Sequence, residues 1–200
     1  VSFAERYLEQ TARVIDALDA AAIEAVASGL ADRRGRGGRL FILGVGGSAG
    51  HAGHAVNDFR KLCAFEAYAP TDNVSELTAR TNDEGWDTTF SAWLEGSRVR
   101  ADDAVLVFSV GGGDAERGVS ANLVRAVDAA SAAGAGIYGI VGRDGGHTAR
   151  VADACVVIPP LYPEHLTPHT EALCAVVWHL LVSHPALKAA ETKWEAVAPA

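Results

Sequence analysis

Four stretches of the chain are apolar without alternation: "RLFILGV" (39–45), "AVLVFSV" (104–110), "GIYGIVG" (136–142) and "ACVVIPP" (154–160). Runs of this kind predict strands covered on both faces, as in a parallel sheet. A weaker fifth strand is expected at Ala67–Ala69. Between them apolar residues recur at helical spacing. This predicts helices over 48–64, 74–82, 86–98, 119–133 and 169–183, the fourth of them stopping at Gly134. The first thirty-odd residues read as one or two amphipathic helices.

Strands alternating with helices through right-handed crossovers give an α/β fold. The expectation is a three-layer doubly wound sandwich with a mostly parallel five-stranded sheet and an N-terminal helical extension, over one domain spanning 1–200. Ligands in such sheets bind beyond the carboxyl ends of the strands. Three of the four strong strands end there in glycine-rich or polar turns. The extension, residues 1–32, has no strand before it and is expected to pack on a neighbouring subunit.

Composition narrows the partners. The chain has 200 residues, 49% of them apolar, which excludes disorder. Its net charge of −8 offers no general attraction to nucleic acid or to an anionic membrane. An anionic substrate must therefore be caught by local groups. Cys63, Cys155 and Cys174 are far apart and form no CxxC pair. With no leader read and no apolar run near the ~20 residues of a membrane span, they point to a reducing cytoplasm.

The first strong strand runs into "GVGGSAGHAGHAVNDF" (44–59). The turn has no Lys-Ser or Lys-Thr, so it is not a P-loop. It matches G-x-G-x-x-A, but no acidic residue ends a strong second strand, as a dinucleotide site requires. A small anion fits better. Gly46, Gly47 and Ser48 open a helix whose first N–H groups are free, although Ser48 could equally be a plain cap. A second turn, "SVGGGD" (109–114), could add N–H groups from Gly111, Gly112 and Gly113 beside Ser109. On the helix that follows the first turn, His54 and Asp58 are four residues apart and share a face. Glu171 and His179 share a face of the late helix, and His179, inside "AVVWHLL", is expected to be buried.

These motifs resemble the sugar isomerase (SIS) domain and, within it, the phosphoheptose isomerases. That family carries "GNGGS" before a His and a Glu at i and i+4, "STSGNS" after a later strand, and a Gln and a His eight apart on a late helix. The resemblance extends over "TNDEGW" (81–86) and "GRDGG" (142–146). It implies an aldose–ketose isomerase converting sedoheptulose 7-phosphate to a D-glycero-D-manno-heptose 7-phosphate through an enediol. Alternatives on the same fold are a non-catalytic sugar-phosphate or protein-binding module, or an isomerase of another sugar phosphate.

By position the resemblance implies Asp58 and His179 as the acid/base pair. It implies His54, Asp58, Glu171 and His179 as zinc ligands, and a homotetramer with sites between subunits. Asp72, Asn82 and Asp83 would lie near the sugar, and Glu171 would stand where the family has glutamine. The "STSGNS" loop departs most. Ser109 stays, Val110 and Gly111 replace hydroxyls, and the last serine falls at Asp114, leaving Ser48 and Arg117 to hold phosphate.

Overall fold

The computed structural model describes residues 1–193 and 195–197; position 194 and the end of the expected domain, 198–200, lie outside the described residues. The strands are β1 (Leu40–Leu43), β2 (Ala67–Tyr68), β3 (Ala104–Ser109), β4 (Gly136–Val141) and β5 (Ala154–Val157). They form one sheet in the order β2-β1-β3-β4-β5, with every pair parallel. β1, β3 and β4 are buried along their whole length, which explains their lack of alternation. β5 ends before Pro159 and Pro160, which have no N–H to donate to a ladder.

The helices are α1 (Phe3–Asp16), α2 (Ala20–Gly35), α3 (Gly47–Cys63), α4 (Val74–Asp83), α5 (Thr89–Gly96), α6 (Ala121–Ala132), α7 (Gly146–Val151) and α8 (Leu166–Ser183). Single 3-10 turns precede α5 at Trp86–Thr88 and α8 at Pro163–His165. Alternate strand residues face opposite layers. Ile42, Leu106 and Ile140 pack among Leu30, Phe59 and Trp178 of α2, α3 and α8. Phe41, Val105 and Ile137 pack among Phe90, Leu94 and Val127 of α5 and α6. This is the three-layer sandwich the pattern predicts.

The N-terminal segment behaves differently from the expectation that all of 1–32 serves a neighbouring subunit. A capping box between Ser2 and Glu5 starts α1, and Asp19 caps α2. α2 then buries Ile23, Val26, Ala27 and Leu30 in its own chain's core. α1 also holds to its own chain, where Tyr7 packs on His165 and His169 and Thr11 lies 3.3 Å from His169. Leu8 and Ile15, on the far side of α1, are left exposed, while Phe3, also exposed, sits beside Tyr7 and His165.

At the N-terminal edge of the sheet, Arg39 and the fully buried Asp103 tie β1 to β3. The guanidinium reaches both carboxylate oxygens, at 3.2 and 2.7 Å, and the backbone N–H groups of Arg39 and Arg100 add bonds of 2.9 and 3.0 Å. Burial by itself would raise the Asp103 pKa. Those four donors outweigh it and hold the carboxyl below its ordinary 3.8. A depressed carboxyl pKa stabilises the fold fully above 3.8, and the contribution fades as pH falls through the lower folded value. Asp103→Ala is expected to cost about 3 kcal/mol at pH 7, because it strands the arginine. The deficit against wild type should shrink as denaturation curves are repeated at progressively acid pH.

Candidate active site

β1 turns towards β2 on one side and β3 on the other, so the chain leaves the sheet in opposite directions at the ends of β1 and β3. A cleft opens at this switch point. It encloses about 670 Å³ counting its open mouth. Ser48, Ser109, Gly111, Gly113, Ser120 and Glu171 are among its walls.

Two helix N-termini end in this cleft. α3 starts after Gly46, whose φ of +62° favours glycine, and Ser48 is buried in its first turn. α6 starts after Ser120, which adopts a left-handed φ of +52°. The N–H groups of Gly47 and Ser48 in α3 and of Ala121 and Asn122 in α6 have no acceptor among the described residues, whereas those of Ala49 and Leu123 bond the Gly46 and Ser120 carbonyls; the unpaired groups at two helix starts suit an anion. The Ser109 hydroxyl accepts from the Gly112 N–H at 3.0 Å and shapes the glycine turn.

That turn is fixed to the next one. Gly112 and Gly146, both with positive φ, leave no room for a Cβ, which would strike the backbone of the opposing turn. The N–H and hydroxyl of Thr148 donate to the Gly112 carbonyl at 2.9 and 2.8 Å, and the His147 N–H donates to Gly113 at 2.8 Å.

The structure shows where the residues after the glycine turn go. Residues 114–119 form a small hairpin closed by an antiparallel bridge between Asp114 and Val119. Asp114 is turned into that hairpin, accepting from the N–H groups of Glu116 and Arg117 at 3.0 Å each. The serine at the start of the following helix is Ser120, which lines the cleft. Spacing hid it, because the hairpin displaces it along the chain. The clue was "SAN" immediately before the apolar pattern of α6.

A second cluster lies further along α3 and α8, which run side by side in the same direction. His54, Asp58 and His179 offer ligand atoms all within 4.8 Å of one another. Asp58 Oδ2 lies 3.6 Å from His54 Nε2 and 4.0 Å from His179 Nε2. Its other oxygen accepts from Asn57 at 2.8 Å. The Nδ1–H of His179 donates to the Ala175 carbonyl at 2.7 Å, which leaves its Nε2 lone pair facing Asp58. Trp178 packs against both imidazoles, with ring centroids 4.8 Å from His54 and 3.5 Å from His179.

The expected burial of His179 is overturned, since its side chain is 51% exposed. Val177, Trp178 and Leu181 face the core, while Val176, His179 and Leu180 form an outward stripe at i, i+3 and i+4. An all-apolar helix sequence hid this second face.

The four-ligand set also changes. Glu171 is eight residues before His179, about 12 Å along the axis. It lies beside Gly47 in the cleft and is not among the three clustered groups. His51 is likewise outside that cluster. Asp72 approaches α3 at Gly53, midway between cleft and cluster. Asn82 and Asp83 bond each other at 2.7 Å on exposed α4, away from the residues lining the cleft. Arg60 bonds the Ala67 carbonyl and lies over Tyr68, a structural task.

The sequence model of the SIS domain family matches residues 5–142. A phosphoheptose isomerase of Rhodospirillum rubrum is 34% identical over 113 residues, 56% of this chain and 54% of that one. The chain thus spans about half the length of that relative. A phosphoheptose isomerase of Geotalea daltonii is 35% identical over 142 residues, 68% of this chain and 70% of the relative. Among solved structures, the phosphoheptose isomerase GmhA of Neisseria gonorrhoeae superposes with a TM-score of 0.78 at 25% identity, covering 91% of this chain and 98% of that one. The chain belongs to the SIS-domain family and, within it, to the family of the phosphoheptose isomerases.

Proposed function

We propose that the protein is an aldose–ketose isomerase of a sugar phosphate, with sedoheptulose 7-phosphate as substrate and a D-glycero-D-manno-heptose 7-phosphate as product. The observation that carries this reading is the convergence of Asp58 Oδ2 with the Nε2 atoms of His54 and His179. The names of the relatives from Rhodospirillum rubrum and Geotalea daltonii support the substrate class.

Isomerisation moves a proton between neighbouring carbons. A base takes it from the carbon beside the carbonyl while an acid protonates the carbonyl oxygen, giving an enediol; the reverse steps on the adjacent carbon give the product. Asp58 is assigned as the carbon base and His179 as the group that exchanges protons with oxygen. Aspartate is a methylene shorter than the family's glutamate, yet its carboxylate still reaches both imidazoles.

The donor set also fits zinc. Two imidazole nitrogens and one carboxylate oxygen, with solvent on the remaining side, match a catalytic zinc site with one open position. His54, Asp58 and His179 would hold the ion, and with His179 Nε2 as a ligand the proton exchange assigned to that residue belongs to the metal-free site. When bound, the ion would polarise the substrate carbonyl.

The phosphate is assigned to Ser48, Ser109 and Ser120 with Gly46, Gly47, Gly111 and Gly113 around it, Gly112 holding the turn. Asp58 lies ten residues beyond Ser48 on one helix, about 15 Å along it. An extended seven-carbon sugar phosphate spans roughly 9–10 Å between its reacting carbons and phosphorus, less than that axial separation. The cluster of one subunit is assigned to the cleft of another, as in the sites between subunits that the resemblance implies. The exposed apolar stripe beside His179 and the outer face of α1 are the surfaces that such packing would cover. The assembly inferred is a homotetramer, each chain one domain, working in the cytoplasm. Asp72 and Glu171 are assigned to sugar hydroxyls; Asn82 and Asp83 reach sugar only across a subunit contact.

Asp58→Asn is expected to lower kcat by about a thousandfold while sugar-phosphate binding survives; a non-catalytic binding module would show no turnover to lose. His179→Ala and His54→Ala should each weaken zinc binding at least about tenfold, read by metal analysis after dialysis. Gly111 has ordinary φ and space for a side chain, so Gly111→Asp should fold and block the cleft by charge. Refolded mixtures of Gly111→Asp and Asp58→Asn subunits should regain activity that neither has alone. Mixtures as inactive as their parents would contradict a shared site.

A further inference from the structure

A second cleft lies beside the first, between the end of β4 and the 114–119 hairpin, sharing Gly111, Gly113 and Arg143 with it. Arg117 and Arg150 complete its walls, so three guanidiniums border one small space in a chain of net charge −8. Asp114 and Asp144 line it too, so its walls carry three guanidiniums against two carboxylates, and the Arg117 backbone N–H, with the charge of Arg150, helps to hold Asp114 ionised. Asp114 accepts from two backbone N–H groups of its own hairpin, and its second oxygen lies 3.6 Å from Arg117 Nε. Asp144 accepts from the Gly146 N–H at 3.4 Å. Arg143 and Arg150 have no hydrogen-bond or ion-pair partner among the described residues.

Arg143 links the two clefts. It holds a left-handed φ of +54°, which a side chain this large rarely adopts. Its stem crosses the glycine turn, with Cδ 3.5 Å from where a Cβ on Gly111 would stand. Gathered cations repel one another, and an anion among them relieves that repulsion. Guanidinium forks match the oxygens of a phosphoryl group.

We propose that the paired clefts form a diphosphate site. One phosphoryl group sits on the N-termini of α3 and α6, and the next, joined to it through a bridging oxygen, sits among Arg117, Arg143 and Arg150. The clefts share Gly111, Gly113, Val119 and Arg143 and are contiguous, which suits adjacent phosphoryl groups better than the two far ends of a sugar bisphosphate. The inference rests on the phosphate assignment in the first cleft, but not on isomerase turnover. The ligand class is inorganic diphosphate or a diphosphate ester. Either would compete with a sugar monophosphate for the first cleft.

The test is isothermal titration of the intact oligomer with orthophosphate, inorganic pyrophosphate and ADP. Pyrophosphate is expected to bind at least about tenfold more tightly than orthophosphate. The double variant Arg117→Ala, Arg150→Ala should erase that preference. Both side chains lie on the surface, and an unchanged thermal melt would show that the fold is intact. ADP binding with the same arginine dependence would identify an ester as ligand; binding of pyrophosphate alone would identify the inorganic ion. Equal affinities for the two phosphates in wild type, or a preference that survives the double variant, would overturn the inference. If Ser48→Ala does not weaken orthophosphate, the phosphate assignment itself fails, which is a separate result.

Discussion

The parallel pairing of β1 with β3 is the constraint from which the site follows. The two strands are sequence-distant neighbours, and each must send its chain to a different side of the sheet. Their ends therefore separate, and two helices begin on opposite sides of the gap. The free N–H groups of α3 and α6 meet across it with no side chain needed to aim them. The Arg39–Asp103 pair holds the opposite end of the same two strands. Electrostatics at one edge of the sheet thus fixes the register on which anion binding at the other edge depends.

Helix geometry then divides the chemistry. α3 carries Ser48 in its first turn and His54 and Asp58 about two and three turns further on, and a helix cannot fold back on itself to join them. α8 repeats the division with Glu171 and His179. On the proposed reading each chain then owns a binding half and a proton-transfer half. On that reading, association is part of catalysis itself, and the apolar stripe next to His179 is a consequence of that arrangement.

The fold was legible because three of its strands are buried on both faces and write themselves as unbroken apolar runs. His54 and Asp58 were legible for a similar reason, since an i, i+4 pair meets wherever a helix forms. Burial of His179 was misread because the α8 sequence is apolar on all sides, so periodicity could not reveal an exposed face. The short helix α7 was not anticipated, as six residues carry too little pattern to register. Ser120 and the fate of Asp114 were invisible to spacing, because the 114–119 hairpin shifts position without altering the chemistry on either side. Glu171 was expected at the metal because it falls where the resembling family has glutamine; within one chain, about 12 Å of helix axis separates it from His179.

Gly112 and Gly146 press two turns together until neither has space for a methyl group. The floor beneath the anion is consequently one rigid piece, and any side chain introduced at either glycine would disturb both turns at once. Variation is cheap only above that floor, in the hairpin bridged by Asp114 and Val119, whose length and charges can drift without touching the sheet. Descendants of this chain with altered ligand preference should therefore differ first at the rim, and sequence comparison across such descendants should find a fixed pair of glycine turns under a variable awning.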